Sequence, residues 1–321
     1  MSWIIWKMIS RNSKIFLAGH KGMIGSAIYK ILRKKYKNII IIDRKKLDLR
    51  DQTKVFNFLK KIKPQVTIVA AAKVGGIKVN NDFKADFIYD NISIQNNLIH
   101  GSYISGTKNL IFLGSSCVYP KNSKQPIKEK YLLSNYLEKT NEPYAVAKIA
   151  GIKLCESYNH QYNLNYKCLM PSNSYGLNDN YDTNTSHFLP AIIKKILDAV
   201  KNADNNITLW GNGKSLRELV FSEDVADAVL YFMDKKTKHT LINIGSKNEK
   251  TINDYARLIM KVLGVNLKIN YINKSFNGTF RKKLDLAIAS NYGWKAKTPI
   301  KRGLLLTIND YLEKNVLKIH N

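Results

Sequence analysis

Tyr144 and Lys148 stand four residues apart in Asn141-Glu-Pro-Tyr-Ala-Val-Ala-Lys148. On a helix this spacing puts both side chains on one face. A nearby ammonium lowers a phenol pKa, which makes Tyr144 a usable general acid near neutral pH. The spacing alone carries little weight in a chain with 18 tyrosines, and Tyr231 and Lys235 repeat it. Its company is more specific. Gly114-Ser115-Ser116-Cys117-Val118-Tyr119 lies upstream, directly after an apolar run. A serine at such a strand end can share a carbonyl oxygen with the tyrosine and polarise the carbon toward hydride.

The hydride needs a carrier, and the N-terminal region offers a place for one. Gly19-His20-Lys21-Gly22-Met23-Ile24-Gly25 follows an apolar run and opens a helical pattern. In that context Gly19 allows a tight turn, Gly22 lets backbone approach a pyrophosphate, and Gly25 permits close helix–strand packing. The helix N-terminus adds free N–H groups and the positive end of its dipole. A dinucleotide site is the reading, and Lys148 would then also hold the nicotinamide ribose. The next β-branched run ends in Asp43-Arg44. Asp43 suits the free ribose of NAD, whereas Lys21, Arg44, Lys45 and Lys46 suit a 2′-phosphate, so these residues alone leave NAD and NADP both open.

The elements that must position these groups are readable in outline. Ile15–Ala18, Ile39–Ile42, Val66–Ala71 and Leu110–Leu113 are candidate buried strands, and Met170 and Val220 sit in later short ones. Ile24, Ile28, Ile31 and Leu32 recur at helical spacing. Strands alternating with helices predict an α/β fold, a Rossmann-type doubly wound parallel sheet. Beyond about Tyr175 the pattern turns irregular, with a helix near Pro190–Val200 and a run at Ile207–Trp210. We expect residues 1–13 to be an N-terminal extension, 14–175 the dinucleotide-binding domain, and 176–321 mainly a smaller mixed α/β substrate lobe with segments returning to the first domain.

Composition narrows the classes. The 321 residues are 45 % hydrophobic, enough for a sizeable core, and no apolar run approaches the length of a membrane helix. Met1–Met8 is too short for a secretory core and lacks a cleavage site. The three cysteines, Cys117, Cys155 and Cys168, include no C-x-x-C pair. No disulfide framework, no metal site and a cytoplasmic location are therefore expected. The net charge of +28 raises nucleic-acid binding. The lysines, however, are spread along the chain and no nucleic-acid motif accompanies them, so the expectation is a solvated lysine coat.

The segments Ala18–Gly25, Ala70–Ile77, Gly114–Pro120 and Asn141–Gly151 together resemble the extended short-chain dehydrogenase/reductase family. The likeness is to the branch that epimerises GDP-4-keto-6-deoxy-mannose at C3 and C5 and reduces C4 with NADPH, giving GDP-L-fucose. It implies Ser115, Tyr144 and Lys148 as the reductase triad and NADP(H) as cofactor, with Ala71, Pro171 and Asn173 beside it. It also implies Cys117 and His187 as the acid/base pair of epimerisation. A thiol and an imidazole, with ordinary pKa values of about 8.5 and 6.5, suit that work. Lys195, Trp210, Arg217, Arg281 and Asp285 are the implied GDP-sugar contacts, and the expected assembly is a homodimer. A reductase of a related GDP-4-keto-6-deoxy-heptose, with little epimerase activity, is the main alternative. A non-catalytic cofactor-binding regulator is disfavoured because the triad is complete.

Overall fold

The computed structural model describes residues 9–182, 185–272 and 279–316. The apolar opening stretch Met1–Met8, most of the expected extension, lies outside the described residues. In chain order the elements of the first half are β1 (Ile15–Ala18), α1 (Met23–Lys35), β2 (Ile39–Ile40), α2 (Gln52–Ile62), β3 (Val66–Val69), α3 (Ile77–Asp82), α4 (Lys84–Ile104), β4 (Asn109–Leu113), α5 (Glu142–Tyr162) and β5 (Asn165–Pro171). The second half adds β6 (Asn173–Tyr175), α6 (Phe188–Lys201), β7 (Asn206–Trp210), β8 (Leu216–Phe221), α7 (Ser222–Asp234), β9 (Leu241–Ile244), β10 (Glu249–Thr251), α8 (Ile252–Leu263), β11 (Lys268–Ile272), β12 (Arg281–Lys282), α9 (Ala287–Asn291) and α10 (Ile300–Val316).

Six strands form a parallel sheet in the order β2-β1-β3-β4-β5-β9. The Rossmann-type α/β expectation holds. The continuous apolar runs of β1 and β3 are buried along their whole length, because helices cover both sheet faces. On one face Ala27, Ile28 and Leu32 of α1 pack with Val225, Ala226, Val229 and Phe232 of α7. Full burial of Ile28 or Leu32 stabilises the fold by about 2 kcal/mol each. On the other face Val55 and Leu59 of α2, Leu98 and Ile99 of α4, and Ile149 and Ile152 of α5 do the same. The chain runs outward from β1 to β2 and returns to β3 on β1's other side. The order in which strands are added therefore reverses between β1 and β3, where doubly wound sheets open a ligand crevice.

Two strand readings change. The Ile39–Ile42 run is a strand only over Ile39–Ile40, since β2 is the sheet edge and pairs with β1 alone. Val220 lies in β8, which belongs to a second sheet with β6, β10 and β12. The strand that completes the central sheet is β9, pairing with β5 from Cys168↔Leu241 to Pro171↔Ile244. The second lobe has its own core, in which Leu189, Ile192 and Ile196 of α6 meet Leu219 and Phe221 of β8, Tyr255 and Ile259 of α8, and Leu304 and Ile308 of α10.

Candidate active site

Ser115 follows β4 at the carboxyl edge of the central sheet, where a single 3₁₀ turn, Ser116–Val118, carries the chain onward. Its hydroxyl accepts from the Cys117 N–H at 3.2 Å, and its carbonyl accepts from Val118 N–H at 3.2 Å. Tyr144 sits in the first turn of α5, with the Ser115 hydroxyl near enough to act on its phenol. Lys148, one turn later, is buried, and its Nζ donates to the Leu113 carbonyl at 2.9 Å. The strand end thus anchors both the serine and the lysine.

The protonation pattern differs from expectation in one respect. Burial pushes the Tyr144 phenol up from its usual value, the nearby Cys117 adds to this, and the Ser115 hydrogen bond opposes it. Burial brings the Lys148 ammonium down to about 8, and its hydrogen bond goes to backbone. The lysine Nζ is 6.0 Å from the Tyr144 ring centroid. Tyr144 is consequently protonated in this state, though as a weaker acid than a free phenol.

The phosphate cradle has the expected form. Gly19 has φ +92°, and a Cβ there would collide with the backbone of Ala70 and Ala71. A Cβ at Gly25 would drive into the Gly19 carbonyl oxygen. At Gly22, the N-cap of α1, a Cβ would meet only the Gly19 oxygen at 3.7 Å, so the approach is open. The first helical N–H groups, from Met23 to Gly25, have no partner within the helix and face that approach. Asp43 is paired with Lys21 at 2.8 Å, and His20 Nε2 lies 3.3 Å from the same carboxylate oxygen. The Lys21 hydrogen bond is the main reason its carboxyl lies below the usual range. Arg44 is exposed beside it. Paired in this way, Asp43 repels a 2′-phosphate less than a free carboxylate would. Pro171 ends β5 and Asn173 opens β6, at the same edge of the sheet.

Cys117 is half-buried and hydrogen-bonded by Lys282 Nζ at 3.5 Å. Burial pushes its thiol up, but Lys282, Ser115 and Arg217 outweigh burial and hold it below its ordinary value. His187 is the exposed N-cap of α6. Desolvation, and then the charge of Lys282, hold its imidazole below the usual value. Arg217 on β8 donates to the carbonyls of Leu216 at 2.8 Å and Phe280 at 3.3 Å and still acts electrostatically on Cys117.

The other expected substrate contacts have work within the fold. Lys195 Nζ donates to the Thr208 carbonyl at 2.7 Å, joining α6 to β7. Trp210, at the end of β7, is 45 % exposed. Arg281 forms a two-point pair with Glu249 at 2.8 and 2.6 Å, tying β12 to β10. Asp285 accepts from Ala287 N–H at 2.8 Å at the start of α9.

Residues 15–245 match the NAD dependent epimerase/dehydratase family. The chain belongs to that family. It is 44 % identical over 301 residues to a GDP-L-fucose synthase of Sinorhizobium fredii, covering 94 % of this chain and 96 % of the relative. A putative GDP-L-fucose synthase 2 of Arabidopsis thaliana is 43 % identical over 312 residues, covering 97 % and 95 %. Among solved structures, a GDP-mannoheptose C4 reductase from Campylobacter jejuni with NADP bound superposes with TM-score 0.84 at 34 % identity, covering 94 % and 99 %. The resemblance inferred from the motifs is borne out.

Within this epimerase/dehydratase scaffold, one charged residue escaped the sequence reading. Lys282 is the middle of Arg281-Lys282-Lys283, in a chain with 52 Lys and Arg residues, and nothing in its local sequence sets it apart. Only the pairing Lys282↔Arg217 between β12 and β8 brings it to Cys117.

Proposed function

We propose that this chain is an NADPH-dependent epimerase/reductase that converts GDP-4-keto-6-deoxy-mannose to GDP-L-fucose. The observation that carries the reading is one wall made of two devices, the Ser115–Tyr144–Lys148 set and the Cys117 thiol one turn beyond Ser115. Relatives named as GDP-L-fucose synthases match along almost the whole chain. NADP is the cofactor, as in the solved C4 reductase. The residues fit it: the cradle from Gly19 to Gly25 suits the pyrophosphate, and Lys21 and Arg44 suit the 2′-phosphate. The bound dinucleotide supplies the hydride for C4.

The ketone oxygen sits between Ser115 and Tyr144 in this reading, and their hydrogen bonds acidify the protons at C3 and C5. Cys117 removes such a proton and His187 returns one on the opposite face. Tyr144 then protonates the C4 oxygen during reduction, and Lys148 steadies the ribose. Lys195 and Arg217 are proposed for the diphosphate and Trp210 for the base; Asp285 is kept for the sugar. Arg281 is proposed to act from behind, by holding β12 through Glu249.

Incubation in D₂O without NADPH tests the reading, because enolisation needs no hydride. Deuterium is expected at C3 and C5, lost in Cys117→Ala, while C4 remains reducible. Reduction by wild type with no solvent deuterium at either carbon would instead make the chain a C4 reductase of a GDP-4-keto-6-deoxy-heptose. That second reading draws on the heptose reductase likeness.

A homodimer is also proposed. Its support is the paired α4 and α5, whose outer residues Tyr89 and Val146 are exposed. Mass from light scattering tests it. A cytoplasmic location is proposed on the free state of Cys117, Cys155 and Cys168. Among the described residues no helix is long and apolar enough to cross a membrane.

A further inference from the structure

We infer that Lys282 is a positioning residue for proton abstraction, its ammonium pairing with the Cys117 thiolate so that Cys117 enters the reaction as the base. The inference deepens the epimerase reading above and rests on it.

The geometry is held from both sides. Cys117 is fixed in the tight turn after β4, its N–H on the Ser115 hydroxyl at 3.2 Å. The segment bearing Lys282 is clamped residue by residue. Arg281 is paired to Glu249, and its carbonyl accepts from Gln125 Nε2 at 3.1 Å. Lys283 N–H donates to Gln125 Oε1 at 2.9 Å, and Ile127 N–H donates to the Lys283 carbonyl at 2.7 Å. Leu284 N–H donates to the fully buried Glu218 at 2.9 Å. In an extended segment successive side chains alternate. With Arg281 committed to Glu249 on one side, Lys282 is turned to the other, toward Cys117. Most lysines of this chain stand in water, and Lys282 is only half-exposed.

The groups facing the thiol are Ser115 from its own turn, Tyr144 from α5, Arg217 from β8 and Lys282 from β12. Two are cations and none is a carboxylate, so the sulfur's surroundings favour negative charge. Lys282 is the cation within hydrogen-bonding distance of it. The same charge opposes a proton on His187. Of the two acid/base groups, Cys117 is therefore the one whose surroundings favour the charged form. In the step itself the substrate C–H bond breaks and its electron pair passes into the enolate held by Ser115 and Tyr144. The proton forms the S–H bond, and Lys282 keeps its own protons throughout.

Alkylation by iodoacetamide, read at Cys117 by mass spectrometry as a function of pH, tests the pairing in the intact protein without substrate. Cys155 and Cys168 are fully buried and leave Cys117 as the accessible thiol. Lys282→Met should move the midpoint of alkylation up by about one pH unit or more, and Lys282→Arg should restore most of it. Deuterium entry at C3 and C5 should fall about tenfold in Lys282→Met at neutral pH and recover at higher pH, a thiolate signature. An unchanged alkylation profile in Lys282→Met would overturn the inference, even if KM rose, because the lysine would then serve only to attract an anionic substrate. Wild type that alkylates as expected but exchanges no deuterium overturns the epimerase reading and leaves the ion pairing standing.

Discussion

Between Gly19 and Gly25, consecutive residues make a turn, a close backbone approach and a helix start. Around Cys117, by contrast, the side chains come from the turn after β4, from β8 and from β12, with Lys282 165 positions away from the thiol it touches. Backbone builds the first region, and backbone geometry is written in local sequence as glycines at fixed offsets. Side-chain charge builds the second, and its members meet only after β8 and β12 have paired. A motif can be read before folding is understood; a charge constellation requires the register of strands that the sequence does not print.

The largest expected effect tests whether the locally encoded half does the reduction. Tyr144→Phe keeps the ring, its 6.4 Å edge contact with Phe87 and the cradle, and removes only the proton donor. NADPH oxidation with the GDP-4-keto sugar should drop by roughly 10²–10⁴-fold, with GDP affinity nearly unchanged. Near-normal turnover would move the reduction chemistry away from Ser115, Tyr144 and Lys148.

Lys148 sharpens the same side of the comparison through pH. Its folded pKa of about 8 lies below the ordinary lysine value of 10.5. If the charged form holds the ribose, reduction should fall as pH rises through about 8, by up to roughly tenfold per unit. Stability should move the other way. Because the folded protein binds this proton less tightly than the unfolded chain, the penalty of charging Lys148 is relieved as pH rises from the folded toward the unfolded value. Melting curves of wild type against Lys148→Met over that window provide the check, and a parallel pH response in both would remove the assignment.

The cofactor end is where local sequence was equivocal and the fold adds information. Asp43 alone favours a free ribose, yet it is occupied by Lys21 and His20. NADPH should therefore be preferred to NADH in kcat/KM, and Arg44→Ala should raise KM for NADPH by about tenfold while sparing NADH, the worth of one charge-assisted hydrogen bond. A preference for NADH would mean that Asp43 breaks from its lysine on binding.

Much of the first half was legible because strand, glycine turn and helix follow one another in the chain, as in Ile15 to Leu32. The return strand β9 was missed. Leu-Ile-Asn-Ile is short, and its partner β5 lies 73 positions earlier, from Cys168 to Leu241. The proposed acid/base pair, Cys117 and His187, came from family likeness alone. No period or spacing links them, and their shared neighbour Lys282 is hidden in a basic run.

Arg281 marks the limit of such transfer, and it gives the smallest effect. Family likeness points it at substrate, whereas its guanidinium grips Glu249 with both ends. The carboxylate is nearly buried and the arginine about a third exposed, so solvent screens part of the attraction and the pair is worth little as a contact. Its value is geometric, since it joins β12 to β10 behind the residue that faces Cys117. Arg281→Ala should thus lower Tm by only about 1–3 °C and leave KM for the GDP-sugar within about twofold, while slackening β12 enough to shift the Cys117 alkylation midpoint slightly toward that of Lys282→Met. Glu249→Gln should reproduce all three changes, because either partner's loss frees the same strand. A large rise in KM in Arg281→Ala that Glu249→Gln does not share would return Arg281 to the substrate. It would also show that the charged wall around Cys117 reaches one residue further along β12.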